Sequence, residues 1–483
     1  MNKRKIIDFS ITKEITVDKS VIYIADKSTK FDKFSFSKNE LEYIKYKLEA
    51  GDKYLTINSY FKWTYIQIVD EEKEGVKLLE FIRKAGAKLQ ANIKENHHTS
   101  IIVVDAIGKP ELTLAFCEGL ALANYQFLKY QKITKDKLSK LEDIQIYSSK
   151  LKNSDINQLV TLIEAVYYTR DLVNEPLSFL TAVQLSKEIK KMGNEAGFTV
   201  EVFEKKKIEA LKMAGIMAVN KGSKEPPTFS ILEWKPANAT NKKPLILVGK
   251  GIVFDTGGVN IKTGANMDYM KCDMAGAAAV AGTFYAIAKA QLAVHVIGLI
   301  PATDNFPDGA AYVPGDIIKM NNGVHVEVIS TDAEGRLILA DALDYAANYK
   351  PELVIDLATL TGNASQAIGK IGMVAMGTAN EKTMLQLKQS GFNVHERIVE
   401  FPLWDEYGDM IKSETADIKN IGGSHAGAIT AGKFLEHFTS YPWIHLDIAG
   451  PAFIEKKDGY RTYGGTAVGV RLLFDFISKY EKK

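Results

Sequence analysis

Residues 244–262 read PLILVGKGIVFDTGGVNIK. The run LILVG after the proline has the composition of a strand buried on both faces, as in sheets covered by helices on either side. It runs straight into charge. Lys250 stands at its end, Asp255 follows five positions on, and Lys262 closes the stretch. Between them Gly257 and Gly258 let the backbone bend tightly. In α/β sheets, sites collect at strand ends and in the loops that follow, so this stretch points to both a fold class and a location.

Further strands are expected at AVHVIGLIPA (293–302), VEVIST (326–331), ELVIDLATL (352–360), MVAMGT (373–378) and WIHLDIAG (443–450), with helices at DMAGAAAVAGTFYAIAKA (273–290) and GRLILADALDYAANY (335–349). This alternation predicts an α/β domain over residues 177–483, its central sheet flanked by helices. Residues 1–150 repeat the theme: SVIYIAD and TSIIVVDA read as strands, and ELTLAFCEGLALANYQFLKYQ (111–131) has helical spacing of apolar residues. The lysine-rich KITKDKLSKLED (132–143) reads as a solvated connection. Residues 151–176 are expected to form a linking helix, with Ser154 or Asp155 as N-cap and Pro176 as stop. The fold class is therefore α/β in two domains, each a central mixed β-sheet flanked by helices.

At 483 residues the chain has room for two or three domains, and 46% hydrophobic with 25% charged residues is ordinary for a soluble protein. A formal charge of +2 gives no reason to expect nucleic acid or anionic membrane as the main partner. Residues 1–150 carry 26 basic against 21 acidic side chains and the rest 35 against 38, which reads as a lysine-decorated surface on the first part. Cys117 and Cys272 make no disulfide framework. No apolar run suits a signal peptide or a bilayer span, so a cytoplasmic location is expected.

The charged residues outside the surface pattern are few. Asp273 lies just before the alanine-rich helix, where a helix N-cap is the plain alternative. Residues 330–339 read STDAEGRLIL, with Asp332, Glu334 and Arg336 at alternate positions. In an extended segment these would share a side, as on a solvated edge or in a reactive site. Asp255, Asp273, Asp332 and Glu334 each sit at an expected strand end or helix start among small and apolar residues. Four such carboxylates converging would repel and resist ionisation unless cations joined them, and a pair of divalent ions would answer that need. None of the eight histidines lies in these loops, and HExxH, GxSxG and GxxxxGK[ST] are all absent.

VGKGIVFDTGGVNIK, MDYMKCDMAGAAAV and STDAEGRLILADAL closely resemble the signature segments of the leucyl aminopeptidase family, cytosolic two-metal aminopeptidases. The resemblance extends over about residues 155–483 through TRDLVNEP, DLATLTG, ADIKNIGG, GAITAGKFL and HLDIAG. Residues 1–150 match only in general pattern, as a variable domain with an assembly or regulatory role would. The resemblance implies that Lys250, Asp255, Asp273 and Glu334 bind one metal and Asp255, Asp332 and Glu334 the other. A liganding Lys250 must be a neutral amine, favoured by burial and adjacent cations; the alternative is an ammonium paired with Asp273. The metals would be zinc, manganese or both, with magnesium and cobalt also admitted by oxygen ligands.

The implied reaction is hydrolysis of the N-terminal residue from peptides with a free α-amine, by a bridging water made hydroxide-like between metals ~3.5–4 Å apart. One metal would take the α-amine, Lys262 would stabilise the charge on the scissile carbonyl, and Arg336 would hold a bicarbonate that shuttles protons. A salt bridge to Glu334 or Asp332 is the structural alternative for Arg336. Met270, Thr359, Gly362 and Ala449, with Ala452 near the end, would line an apolar pocket for the first side chain, core packing being the plain alternative for each. A homohexamer is implied too. Ser330 in place of asparagine, and Thr263 in place of proline after the catalytic lysine, depart from the family pattern and bear on loop stiffness. Rival readings are a two-metal amidase that accepts N-blocked substrates, and DNA binding, which the modest charge of residues 1–150 disfavours.

Overall fold

The computed structural model describes residues 6–16, 18–70, 72–132 and 138–480. The first five residues of the basic N-terminus and residues 133–137 of the expected solvated connection lie outside them. The chain forms two compact units. The smaller comprises residues up to Glu164 together with Lys456–Thr462; the larger comprises Ala165–Glu455 and the chain from Tyr463 onward. The expected linking helix exists as Asn153–Asn174, but it is shared between the units instead of standing apart. It starts before both expected caps: Asp155 lies within its first turn and accepts the backbone N–H of Lys152 at 2.9 Å.

The smaller unit is built on β1 (Asp8–Thr12), β2 (Ser20–Ala25), β3 (Tyr54–Ser59), β4 (Lys62–Ile68), β5 (Ser100–Asp105) and β6 (Asp143–Tyr147), in the order β1-β6-β5-β2-β4-β3. All neighbours are parallel except the β3–β4 hairpin. Helices Gly75–Glu95 and Pro110–Ala123 cross at glycines. A Cβ on Gly119 would lie 1.8 Å from the Arg83 carbonyl oxygen. The second helix is shorter than its apolar spacing suggests. Asn124 ends it, with its N–H on the Leu120 and Ala121 carbonyls, because asparagine favours a cap over a helix interior.

In the larger unit the strands are β7 (Thr199–Glu204), β8 (Thr228–Trp234), β9 (Leu245–Gly249), β10 (Gly251–Asp255), β11 (Val296–Asn305), β12 (Ile317–Lys319), β13 (His325–Glu327), β14 (Leu353–Ala358), β15 (Met373–Gly377), β16 (Ile398–Glu400), β17 (Ile418–Lys419), β18 (Trp443–Asp447) and the short pair β19 (Phe453–Ile454) and β20 (Gly464–Gly465). The main sheet runs β16-β15-β18-β14-β9-β11-β8-β7. Its centre, β18-β14-β9-β11, is parallel, while β15 and β8 run antiparallel to their inner neighbours. Ile246, Val248, Ile297, Leu299 and Val354 share one core with Leu337, Ile338, Leu339, Ala340, Ala342 and Leu343 of the helix Glu334–Ala346. By strand alternation Gly249 faces the other side, where its Cβ would come 2.6 Å from Ala277 Cα in the helix Ala275–Lys289. The alanine-rich sequence is what lets that helix lie so close to the sheet. Both faces are thus covered.

Two local departures set up the site. Instead of ending in a loop at Lys250, the chain breaks for that one residue and resumes as β10, so both β9 and β10 pair along β11. The VEVIST stretch is a strand only over His325–Glu327. Beyond it, STDA is a turn and the helix begins at Glu334, so Asp332, Glu334 and Arg336 do not alternate on an extended strand. The reason is a buried asparagine: Asn420 Oδ1 accepts the N–H of Ile329 and Ser330, and its Nδ2 donates to the Ser330 carbonyl at 2.7 Å. These backbone groups bond to a side chain in place of a neighbouring strand.

Candidate metal centre

Lys250 is held at its strand break by backbone bonds to both sides: its N–H donates to the Leu357 carbonyl, and its own carbonyl accepts from Ala277. The side chain is therefore aimed between β14 and the start of the helix Ala275–Lys289. Its Nζ lies 2.8 Å from Asp273 Oδ1, 2.9 Å from Glu334 Oε1 and 2.9 Å from the Thr359 carbonyl. It passes over Gly335, where a Cβ would meet Lys250 Cε at 2.4 Å. The need for glycine there is this crossing of the lysine.

Asp273 does not cap the helix that follows; the cap position is Met274 and carries no side-chain cap bond. Its Oδ1 instead takes Lys250 and the Thr359 hydroxyl, the latter at 2.7 Å. Asp255, at the end of β10, accepts the Gly257 N–H at 2.9 Å and Asn305 Nδ2 at 2.8 Å on Oδ1, and Lys262 on Oδ2 at 2.8 Å. Gly257 and Gly258 take φ of 89° and 65°, as the tight return of the chain from Asp255 to Lys262 requires. Lys262 Nζ also reaches Asp332 Oδ1 at 2.5 Å.

Asp255, Asp273 and Glu334 each bring a carboxylate oxygen within 4.8 Å of the others, and all three are buried. Asp273 Oδ2 and Glu334 Oε2 have no hydrogen-bond partner. A buried carboxylate oxygen left unpaired is costly, so two in one cluster mark a place built for a cation. The donor set of hard oxygens around one nitrogen suits a divalent ion. Asp332 stands apart from this trio, with its side chain 37% exposed and held by Lys262 at the open edge. The structure thus brings together Lys250, Asp255, Asp273 and Glu334, with Asp332 and Lys262 on their solvent side.

Burial raises the Asp273 carboxyl, with Lys250 opposing and Glu334 and Asp255 adding to the rise. Burial also raises Glu334, followed by repulsion from Asp255, against the pull of Lys250 and Lys262. For Lys250 burial disfavours the charge, but Asp273, Glu334 and Asp255 outweigh it and hold the group above the usual lysine range. Lys250 here lies within ion-pair distance of both Asp273 and Glu334. The neutral amine expected of a ligand requires cations to take over those carboxylates.

Arg336 lies in the first turn of the same helix as Glu334. Its Nη1 donates to the Asn420 carbonyl at 2.6 Å, and its Nε has no partner. The salt-bridge alternative is not realised: Arg336 makes no ion pair with Glu334 or Asp332. Burial lowers its pKa to about 10, with Glu334 and Asp447 acting the other way.

Of the expected pocket residues, Thr359 touches the centre through Asp273 and Lys250. Ala449 is linked to the Thr359 loop through Asp447, whose Oδ1 accepts from both Leu360 and Ala449. Met270 is half-buried, in the turn Met267–Cys272, and Ala452 is buried. Their neighbours Tyr269 and Phe453 pack with ring centroids 5.1 Å apart, which brings the two segments together. Gly362 is exposed at the start of the helix Gly362–Ile368.

Several residues that shape the site were not singled out from sequence. Thr331 and Asn260 bond reciprocally: Thr331 N–H to Asn260 Oδ1 at 2.8 Å and Asn260 N–H to Thr331 Oγ1 at 2.9 Å. Asn305 Nδ2 and the Tyr312 hydroxyl both donate to the Thr331 carbonyl. Together with Asn420 they fix the loop that carries Asp332. Asn260, Thr331 and Asn420 fell within the quoted signature segments VGKGIVFDTGGVNIK, STDAEGRLILADAL and ADIKNIGG, which gave them no role, while Asn305 and Tyr312 fell outside them.

The catalytic-domain signature of the cytosol aminopeptidase family matches residues 167–474. A probable cytosol aminopeptidase of Chlorobium phaeobacteroides is 44% identical over 389 residues, covering 77% of this chain and 76% of its own. One from Clostridium perfringens is 40% identical over 418 residues, covering 84% and 85%. Among solved structures, a point mutant of tomato leucine aminopeptidase superposes with a TM-score of 0.85 at 27% identity, covering 99% of this chain and 98% of its own. The bottromycin maturation enzyme BotP in complex with Mn gives 0.84 at 26% identity, covering 96% and 100%.

Proposed function

The chain belongs to the cytosol aminopeptidase family, and from that premise we propose that it is a two-metal aminopeptidase that removes the N-terminal residue from peptides with a free α-amine. The observation that carries this reading is the buried trio Asp255, Asp273 and Glu334, with unpartnered oxygens on two of its members and a lysine on either side. Lys250, Asp255, Asp273, Asp332 and Glu334 would hold the ions, of which zinc and manganese suit the donor set and magnesium and cobalt are compatible. The ions, when bound, would supply water activated for attack at neutral pH and a Lewis acid for the carbonyl.

The chain's own groups do the rest. Lys262 lies on the open side of the cluster with its side chain 26% exposed, so its ammonium is placed to meet an incoming carbonyl oxygen. Neighbouring Asp255, Glu334 and Asp332 outweigh its burial and keep it charged. The anionic cluster beneath would draw a free N-terminus and offer nothing to an acylated one. Arg336, buried and with Nε free, would hold a small planar anion such as bicarbonate, whose chemistry is proton transfer. Met270, Thr359, Gly362, Ala449 and Ala452 would receive the first side chain. The homohexamer and the cytoplasmic location belong to the same reading. Among the described residues no helix is long and apolar enough to cross a membrane.

The test is hydrolysis of leucine-anilide and N-acetyl-leucine-anilide after chelation and reloading with zinc, manganese, cobalt or magnesium. Activity should vanish on chelation, return with metal, and be confined to the free amine. Comparable cleavage of the acetylated substrate would point to an amidase instead.

A further inference from the structure

One buried carboxylate beside the centre has no part in the scheme above. Asp447 ends β18 and is 1% exposed. Its bonds converge on the turn that follows β14 and on the start of its own. Oδ1 accepts the N–H of Leu360 at 3.2 Å and of Ala449 at 3.0 Å, and Oδ2 accepts the Thr361 hydroxyl at 2.7 Å. Thr361 in turn caps the helix Gly362–Ile368 through the Ala364 N–H. The two strand ends are thereby tied together just past their last ladder pair, Ala358 with Asp447.

The residue between that last pair and the tied turn is Thr359. It faces the metal centre with its carbonyl and its hydroxyl: the carbonyl takes Lys250 Nζ at 2.9 Å and the hydroxyl gives its proton to Asp273 Oδ1 at 2.7 Å. The Thr359 carbonyl claims one of the N–H bonds of Lys250 and so decides how the rest of the nitrogen is turned towards the carboxylates. Outer partners of this kind orient metal ligands, and losing them commonly weakens metal binding about 10- to 100-fold.

We propose that Asp447 is a positioning residue for the metal centre: by holding residues 360 and 361 it sets Thr359, and through Thr359 it orients Lys250 and Asp273. This rests on the reading of Lys250 and Asp273 as metal ligands. Behind Asp447, on the same strand face, His445 is bonded to Asp356 at 2.6 Å, and Asp356 also accepts from the Trp443 indole. That rigid pair backs the strand end, so the carboxylate has a fixed base from which to hold the turn.

The experiment measures metal affinity directly, by competition with a chromophoric chelator for zinc or manganese on the full chain without substrate. Asp447→Asn keeps the size of the side chain but gives the turn an amide. It should weaken binding of one of the two ions about 10- to 100-fold while the other stays as in wild type. Thr361→Val, which removes one of the three donors, should do the same more weakly, and Thr361→Ser should restore wild-type affinity. Metal-free Asp447→Asn and Thr361→Ser should melt close to metal-free wild type, and Thr361→Val should fall only by the small amount that loss of one helix cap costs. Unchanged affinity in both Asp447→Asn and Thr361→Val would overturn the proposal. So would a loss that affects both ions equally and tracks a lowered melting temperature, since that is loosening of the fold. Should Asp447→Asn not fold, Thr361→Val decides. Failure of the aminopeptidase reading is separate: it shows in wild type, as bound ions without hydrolysis of a free-amine substrate.

Discussion

In the smaller unit Arg83 lies between two buried acids, with Nε 2.7 Å from Glu118 and Nη1 2.8 Å from Glu80, and the Tyr460 hydroxyl completes Glu80. In the larger unit Lys250 likewise lies between two buried acids, Asp273 and Glu334, yet each acid keeps an oxygen with no partner. The two clusters have the same composition in outline, a cation flanked by carboxylates. Arginine's planar fork has five donors in fixed directions and suits two carboxylates at once, whereas a lysine offers three donors on a single nitrogen. Among the described residues, every charged side chain with an unsatisfied buried atom lies in the larger unit, while the smaller unit leaves only hydroxyls unpaired. A closed network holds a fold together. An open one keeps binding capacity, at a cost in stability that the surrounding sheet must carry.

The sharpest way to break this comparison is to remove a charge from the open cluster. Lys262→Ala should leave the melting temperature close to wild type and lower kcat on the order of 100- to 1000-fold, because a donor to a developing oxyanion is lost while the structure around it stays. A fall in stability with little change in kcat would put Lys262 among the structural ion pairs and erase the distinction.

A smaller effect is expected from the smaller unit's neutral network. His98 is buried between Ser20 Oγ at 3.3 Å and the Tyr65 hydroxyl at 3.0 Å, and burial lowers its pKa below the ordinary 6.5. A histidine held neutral in the folded state binds fewer protons there than in the unfolded chain. Stability is therefore full above pH 6.5 and declines as the pH falls below that value. As the pH falls from about 7.5 to 5.5, hydrogen exchange in β2 and β4 of wild type should slow by less than the intrinsic rate does, whereas in His98→Gln it should follow the intrinsic rate more closely. Identical pH responses in the two proteins would remove His98 as the source.

The parts of this site legible in the sequence are those where charge interrupts a run of small and apolar residues. Lys250 after LILVG, Asp273 before an alanine helix and Glu334 before RLILADAL stand out because the neighbouring positions have only packing roles. The inner strands β9, β11, β14, β15 and β18 were legible as apolar runs, whereas β7, β8, β10 and β16 were not singled out. The amides were not. Asn305 and Asn420, both buried, and Asn260, exposed, are single residues in loops or at a strand end, and nothing in their flanks tells a clamp from a surface turn. The return of Lys456–Thr462 to the smaller unit was equally hidden, since KKDGYRT reads as an exposed turn while Tyr460 is in fact 5% exposed against Glu80. The alternation of Asp332, Glu334 and Arg336 suggested a strand, but long-range bonds from Asn420 and Asn260 decide that the segment is a turn and a helix start.

The central claim is that the unpartnered oxygens of Asp273 and Glu334 are metal ligands. Equilibrium dialysis against zinc or manganese, followed by metal analysis, tests it without reference to activity. Wild type should retain two ions per chain, and Glu334→Gln, whose carboxylate would serve both, should lose tight binding of both while staying folded. Stoichiometric binding that survives Glu334→Gln unchanged, or no tight binding in wild type, would contradict the account.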